Sequence, residues 1–143
     1  MFKNILVAVD LEHDSDLDNL LRIASEIATI QNAKVDLLHV ISAAPAVVSQ
    51  FLPESYETMA SEKVEQDLTA LAAKVDLAEG TATVSVRFGS VYQEILAYAD
   101  KIGADLIIVA SHKPNVGDYL LGTTASRIVR HAPCSALVVR QTV

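Results

Sequence analysis

Two groups of polar residues follow apolar segments of this sequence, where they could hold a small anionic ligand. Asp10 ends the apolar run 4–9, and a carboxylate there can accept hydrogen bonds from a ribose hydroxyl or a base amino group. The segment 122–125 (GTTA) opens a helical pattern, and its free N–H groups, glycine and two hydroxyls would suit a phosphate. Ordinary capping by Thr123 and Ser126 explains the second group equally well, and Asp10 could instead be a loop acid of the first helix.

Other polar residues have structural interpretations beside the chemical ones. The acidic segment 12–18 (EHDSDLD) offers carboxylates and an imidazole to a metal ion. The first turn of a helix also favours acids, so we prefer helix capping by Asp14 or Asp16. We assign a structural role to His39, next to the end of an apolar run, whereas His112 could contact phosphate or make only a backbone hydrogen bond.

Composition restricts the partners and the compartment. A net charge of −7, an aromatic content of 5% and the absence of Trp argue against a nucleic-acid binder, although one local site can still hold phosphate. The single cysteine, Cys134, excludes an internal disulfide, and neither it nor His131 has a partner at zinc spacing. With no signal-peptide pattern and no apolar run of membrane length, we expect a cytoplasmic protein with no membrane or nucleic-acid partner.

Strand and helix patterns alternate along the whole chain. Runs rich in β-branched residues predict strands at 4–9, 34–40, 83–88, 105–110 and 135–140. Apolar residues at helical spacing occupy four other segments: Leu17, Leu20, Leu21, Ala24, Ile27 and Ala28; Val64, Leu68, Leu71 and Val75; Val91, Ile95, Tyr98, Ala99 and Ile102; Ile128, Val129 and Ala132. Ser90 and Gln93 predict a capping box. The alternation predicts an α/β fold, with an open five-stranded parallel sheet, helices on both faces and one domain over 1–143.

Two connections are longer than such a fold requires. The segment 41–60, which contains two prolines, is either a surface excursion or a lid over a ligand. The stretch 110–126 joins the fourth strand to the last helix. Strand order 2-1-3-4-5 would bring Asp10 near Gly89, whereas order 3-2-1-4-5 would bring it near Ser111 and this long loop. The loop therefore favours the second order, with the ligand beside it.

Several motifs, in order along the chain, resemble the universal stress protein family: NILVAVD, VDLLHVI, FGSVYQEIL, ADLIIVASHKP, YLLGTT and VRHAPCSALVVR. The resemblance implies a cytoplasmic α/β protein of strand order 3-2-1-4-5, usually a homodimer, and one branch of the family binds ATP. It implies contacts on the adenine side by Val9, Asp10, Val40, Val109 and Ala110, and on the phosphate side by Gly122, Thr123, Thr124 and Ala125. Ser111, His112 and Lys113 of the intervening loop complete the predicted site.

The loop departs from the pattern of the ATP-binding branch. Ala110 and Lys113 stand where that branch has its first two glycines, and only eight residues separate Lys113 from Gly122, one fewer than the motif needs. The segment is similar to a bacterial subgroup of the family, the F and G types of enteric bacteria. Lys113 could supply by charge what the lost glycine removes, or it could merely be a solvated loop residue.

The resulting prediction is a stress-response module that binds ATP, or ADP or AMP, with Mg²⁺ allowed as a companion of the nucleotide. We expect a homodimer joined through the C-terminal strand, Ala136 to Arg140, because an apolar edge strand invites pairing. The alternatives are a nucleotide-free dimeric scaffold and a slow ATP-hydrolysing enzyme. We expect a binding module rather than an enzyme, because the sequence contains no Ser-His-Asp order, Walker A signature or nucleophile elbow.

Overall fold

The computed structural model describes residues 1–14, 16–42, 50–111 and 122–140. In this part of the chain, strands and helices alternate as β1 (Asn4–Ala8), α1 (Leu17–Gln31), β2 (Lys34–Ile41), α2 (Tyr56–Ala72), β3 (Thr83–Phe88), α3 (Val91–Ile102), β4 (Leu106–Ser111), α4 (Thr123–His131) and β5 (Ser135–Arg140). All neighbouring strands pair in parallel, in the order β3-β2-β1-β4-β5. The predicted fold class and strand order are therefore confirmed.

The sheet is covered on both faces by apolar side chains. On β1, Ile5 and Val7 pack with α1 and α2 on one face, whereas Leu6 and Ala8 pack with α3 and α4 on the other. Because both faces of the central strands are buried, β1 and β4 have apolar residues at nearly every position instead of an alternating pattern. No helix in the described residues combines the length and hydropathy of a membrane span.

The boundaries of β1, β2 and β4 differ by one residue from the predicted runs. Asp105 lies before β4, not in it. Its carboxylate accepts the backbone N–H groups of Lys3 at 2.8 Å and Asn4 at 3.1 Å, so it ties the start of β4 to the start of β1. β1 ends at Ala8, but the Val9 N–H still donates to the Leu38 carbonyl at 2.8 Å.

Three local predictions for the helices are wrong. Ser90 precedes α3 but makes no side-chain capping bond, and Gln93 donates to the Tyr92 hydroxyl at 3.3 Å instead of closing a capping box. Val129 is 51% exposed, because the short α4 reaches the core through Ala125 and Ile128, three residues apart on one face. Two stripe residues, Val75 and Ala132, lie just beyond the ends of α2 and α4.

The long connection after β2 contains the start of a helix. The segment 41–60 was predicted to be irregular, but α2 begins within it, at Tyr56. The Tyr56 N–H donates to the Pro53 carbonyl at 3.0 Å, so a proline turn leads directly into the helix. Within the segment 41–60, which was considered as a lid, residues 43–49 lie outside the described part of the chain.

Tyr98 belongs to the apolar stripe of α3, but its hydroxyl ends in a polar cluster against β2 and β3. It donates to Asp36 Oδ2 at 2.7 Å and accepts from the Ser85 hydroxyl. The Arg87 guanidinium lies 5.6 Å from the centre of the ring. Burial, reinforced by the Asp36 carboxylate, raises the pKa of Tyr98. The hydroxyl is therefore held in its neutral form.

This cluster predicts a loss of stability at high pH. Because the pKa of Tyr98 is higher in the folded chain than in the unfolded one, its contribution is complete below about pH 10 and is lost as the pH rises through the folded pKa. We expect Tyr98→Phe to lower stability at neutral pH by about 1–3 kcal/mol, because Asp36 loses a partner, but to flatten the alkaline decline. Urea unfolding at a series of pH values measures both effects. An unchanged alkaline slope in Tyr98→Phe would assign the decline to other groups.

Candidate functional site

A cleft of about 750 Å³, here called the carboxyl-end cleft, opens beyond the carboxyl ends of β1, β2 and β4. β1 and β4 are hydrogen-bonded neighbours, but α1 follows β1 on one face of the sheet and α4 follows β4 on the other. The segments that leave β1 and β4 therefore run to opposite faces of the sheet, and the space between them is open to a ligand. This is the position at which the strand order predicts a site.

The structure brings most of the predicted site residues together around this cleft. Its lining includes Val9, Asp10, Val40, Val109, Ala110, Gly122, Thr123 and Thr124. Ser111 and Ala125 do not line it, and both are buried. His112 and Lys113 lie outside the described residues.

Asp10 organises the turn that follows β1. Its Oδ1 accepts the N–H groups of Glu12 at 3.0 Å and His13 at 3.1 Å, while its Oδ2 lies 2.9 Å from Nδ1 of the His13 ring. Of the two caps considered for α1, Asp14 and Asp16, the structure has Asp16 at the cap position, where its Oδ1 accepts the Asn19 N–H at 3.1 Å. Asp10 is therefore the loop acid that we considered, and its position is set before any ligand arrives. A carboxylate has about four acceptor sites, so a ligand hydroxyl can share this one.

His39 is 6% exposed and borders the same cleft. Its Nδ1 lies 2.8 Å from the Val9 carbonyl oxygen, which can only accept, so Nδ1 carries the hydrogen. The Leu11 N–H also lies 3.4 Å from Nδ1, but this longer contact cannot be a hydrogen bond in that tautomer. The structural role predicted for His39 corresponds to this bond, which directs the chain as it leaves β1.

The start of α4 presents backbone donors to the other side of the cleft. Gly122 is the residue before the helix and, as a glycine, has no side chain of its own to cap it. Its own N–H donates to the buried Ser111 Oγ at 3.3 Å. The N–H groups of Thr123, Thr124 and Ala125 belong to the first turn of the helix, which has no intrahelical acceptors for them. Aligned N–H groups at a helix start are suited to a phosphate.

The backbone at Gly122 does not require a glycine. Its φ of −59° and ψ of 158° are open to any residue. Thr123 and Ser126 do not form a capping pair, since the Ser126 N–H donates to the Gly122 carbonyl at 2.9 Å and the cap position itself has no side chain. A glycine at this position leaves room for another group to approach the start of α4 closely.

The acidic segment after β1 is used for local structure. Asp14 Oδ2 accepts the Asp10 N–H at 2.8 Å, and Asp18 pairs with Lys74 at 3.3 Å. Within the residues that the structure describes, no group of three or more His, Cys, Asp or Glu side chains is arranged to hold a metal ion. Asp14 therefore shapes the turn into α1 on one side of the cleft, whereas Asp18 ties α1 to the residues that follow α2.

A second cleft, of about 550 Å³, lies at the amino ends of β1, β2 and β3. Lys34, Asp36 and Glu79 are among its polar residues. At this end of a parallel sheet the helices end, and their carbonyl groups repel anions. The carboxyl-end cleft, with a helix start beside it, is the better place for an anionic ligand.

Sequence reasoning missed two ring side chains of the carboxyl-end cleft. His39 was assigned only a structural role, and Tyr56 was treated as part of an irregular connection, yet both line the cleft. The alternation of β2 could have placed His39 on an inward face. No local signal indicated Tyr56, because its position depends on how α2 packs against the sheet.

Comparisons with known proteins agree with this architecture. The model of the Universal stress protein family matches residues 1–140. Universal stress protein G of Escherichia coli O157:H7 is 29% identical over 143 residues, covering 98% of this chain and 100% of the relative. Universal stress protein A homolog 1 of Coxiella burnetii is 32% identical over 143 residues, covering 96% of both chains.

Solved structures match the fold over nearly the whole chain. The hypothetical protein MJ0577 superposes with a TM-score of 0.82 at 22% identity, covering 100% of this chain and 99% of the other. A universal stress protein in complex with cAMP has a TM-score of 0.64 at 20% identity, with coverage of 99% and 98%. One from Archaeoglobus fulgidus in complex with dAMP has a TM-score of 0.62 at 16% identity, with coverage of 96% and 98%. At these identities the likeness concerns the fold.

Proposed function

The chain belongs to the universal stress protein family, and we propose that it is a cytoplasmic stress-response module that binds an adenine nucleotide, ATP above all. The observation that carries this proposal is the carboxyl-end cleft, where strand ends and the start of α4 meet. Two proteins of the same fold are described in complex with cAMP and dAMP, both adenine nucleotides. A cleft of about 750 Å³ also lies within the usual range for small-molecule sites.

The residues around the cleft suit the two ends of a nucleotide. On one side, Val40 offers backbone groups to the edge of a base and Asp10 offers carboxylate oxygens to the ribose. On the other side, the first-turn N–H groups of α4 face phosphate, with the hydroxyls of Thr123 and Thr124 beside them. ATP would bring several negative charges to these donors. Mg²⁺ would accompany its phosphates, without a dedicated protein cage.

A direct test is to identify and titrate the ligand. We expect a mass spectrum of material extracted from the purified protein to contain an adenine nucleotide, and calorimetry to show saturable binding of ATP, ADP or AMP. Radiolabelled ATP separates the alternatives: label that stays bound as ATP supports a binding module, and release as ADP supports slow hydrolysis. No binding of any adenine nucleotide would leave the nucleotide-free scaffold.

We also propose that two copies associate through β5. This strand is the last of the sheet on its side, and Leu137 and Val138 on it are only half-buried. An apolar edge strand with unpaired backbone groups favours pairing with a second copy about a two-fold axis. A dimer formed in this way would extend the sheet across both chains.

Substitution Val138→Lys should convert such a dimer to monomer, because a charge at the centre of the interface would have to be desolvated. Sedimentation velocity measures the assembly, and thermal melting of the same sample confirms that the variant is folded. Val129→Lys is the matched control, since Val129 is 51% exposed and lies on α4, not on β5. A dimer that survives Val138→Lys with unchanged stability would place the interface elsewhere.

A further inference from the structure

Side chains from opposite faces of the sheet form two walls of the carboxyl-end cleft. Val91 and Ile95 come from α3, which packs on one face. Tyr56 comes from the first turn of α2, which packs on the other face through Leu68. The sheet lies between α2 and α3, so the first turns of these helices stand on either side of the cleft, beyond the carboxyl ends of the strands. A flat ligand group entering between them meets aliphatic side chains on one side and a phenol ring on the other.

Tyr56 is the only Phe, Tyr or Trp among the described residues that line this cleft. The residue is 39% exposed, a large fraction for an aromatic residue that borders a cavity. A planar base gains the most binding free energy from such a ring, because stacking buries the face of the ring against the face of the base and needs no specific hydrogen bonds. Two hydrogen bonds fix the backbone that carries the ring: the Tyr56 N–H donates to the Pro53 carbonyl at 3.0 Å, and the Met59 N–H donates to the Ser55 carbonyl at 2.9 Å.

We infer that Tyr56 stacks on the base of the bound nucleotide and determines the preference for nucleotides with a large, flat base. The inference rests on the proposed function and adds to it the residue that reads the base. Asp10 is assigned to the ribose, so stacking by Tyr56 would supply a separate contact to the base. Purines offer more stacking area than pyrimidines and should bind more tightly.

The test compares AMP with ribose 5-phosphate, which has the same phosphate and sugar but no base. Tyr56→Ala should weaken AMP binding by about tenfold, whereas ribose 5-phosphate should bind the parent and the variant equally. Tyr56→Phe keeps the ring and should bind AMP within about twofold of the parent. Calorimetry measures AMP, and NMR titration measures the weaker ligand. Because the chain has four Tyr and no Trp, quenching of tyrosine fluorescence by AMP should also decrease in Tyr56→Ala.

Two neighbouring side chains serve as controls. Phe51 and Met59 are 79% and 61% exposed, near Tyr56 in sequence but not in the lining of the cleft. Their replacement by Ala should leave AMP affinity unchanged. Equal AMP affinity in Tyr56→Ala and the parent would overturn the stacking inference and leave the proposed function intact. Equal loss of AMP and ribose 5-phosphate would also overturn it, since the ring would then only shape the cleft. A parent that binds no nucleotide at all would remove the proposed function itself.

Discussion

Gly122→Val should abolish nucleotide binding and leave the fold intact. The residue stands directly before α4, where first-turn N–H groups face the carboxyl-end cleft. A branched side chain there would occupy the space of phosphate oxygens and cover those donors. Losing two charge-assisted hydrogen bonds corresponds to about 3 kcal/mol or more, so ATP affinity should fall by at least about 100-fold.

The folded state should tolerate this change, which makes the experiment interpretable. The φ of Gly122 is −59°, a value that valine adopts readily, so melting without nucleotide should change by less than about 1 kcal/mol. Gly122→Ala, with one methyl group, should show an intermediate loss of affinity. Calorimetric titration of ATP and AMP against both variants gives the result. Full binding by Gly122→Val would move the phosphate site away from α4.

Gly89→Ala should produce the largest loss of stability among the conservative substitutions considered for this chain. Gly89 has a φ of +139°, a region that residues with a side chain rarely adopt. A Cβ at this position would lie 3.1 Å from Cγ of Glu94, and that side chain cannot move freely, because its Oε1 accepts from Arg87 Nε at 3.1 Å. Backbone strain and the displaced ion pair together should lower the free energy of unfolding by about 2–4 kcal/mol.

Two comparisons separate the causes in urea unfolding experiments. Gly103→Ala tests strain alone, since the φ of Gly103 is +66° and a Cβ added there would meet no atom within 4 Å; we expect a loss of about 1 kcal/mol. The double variant Gly89→Ala/Glu94→Ala removes the steric conflict and should be more stable than the sum of the single variants predicts, by about 1 kcal/mol. Simple additivity of the two single losses in the double variant would show that Glu94 yields at no cost.

The architecture could be predicted from the sequence because its signals are local. Runs such as 106–110 are apolar at every position, which is what burial of both faces of a strand requires. The strand order followed from one further feature, the long connection after β4 that places a ligand beside β1. The carboxyl-end cleft was predicted for the same reason, since it is formed by residues at or just beyond the ends of strands, Asp10 and Val40 among them. These inferences need only the order of elements along the chain.

Contacts between residues distant in sequence were decided by the tertiary structure. Asp105 binds the backbone of Lys3 and Asn4, about a hundred positions away, and Tyr56 reaches the cleft only because α2 packs across the sheet from α3. At shorter range, the positive φ of Gly89 and its close approach to Glu94 arise in the turn between β3 and α3. Hydrophobic periodicity reports which face of an element is buried, but not which partner covers it. The partner depends on how whole elements align in space. That alignment brought Tyr56 to the cleft and Asp105 to the backbone of Lys3 and Asn4.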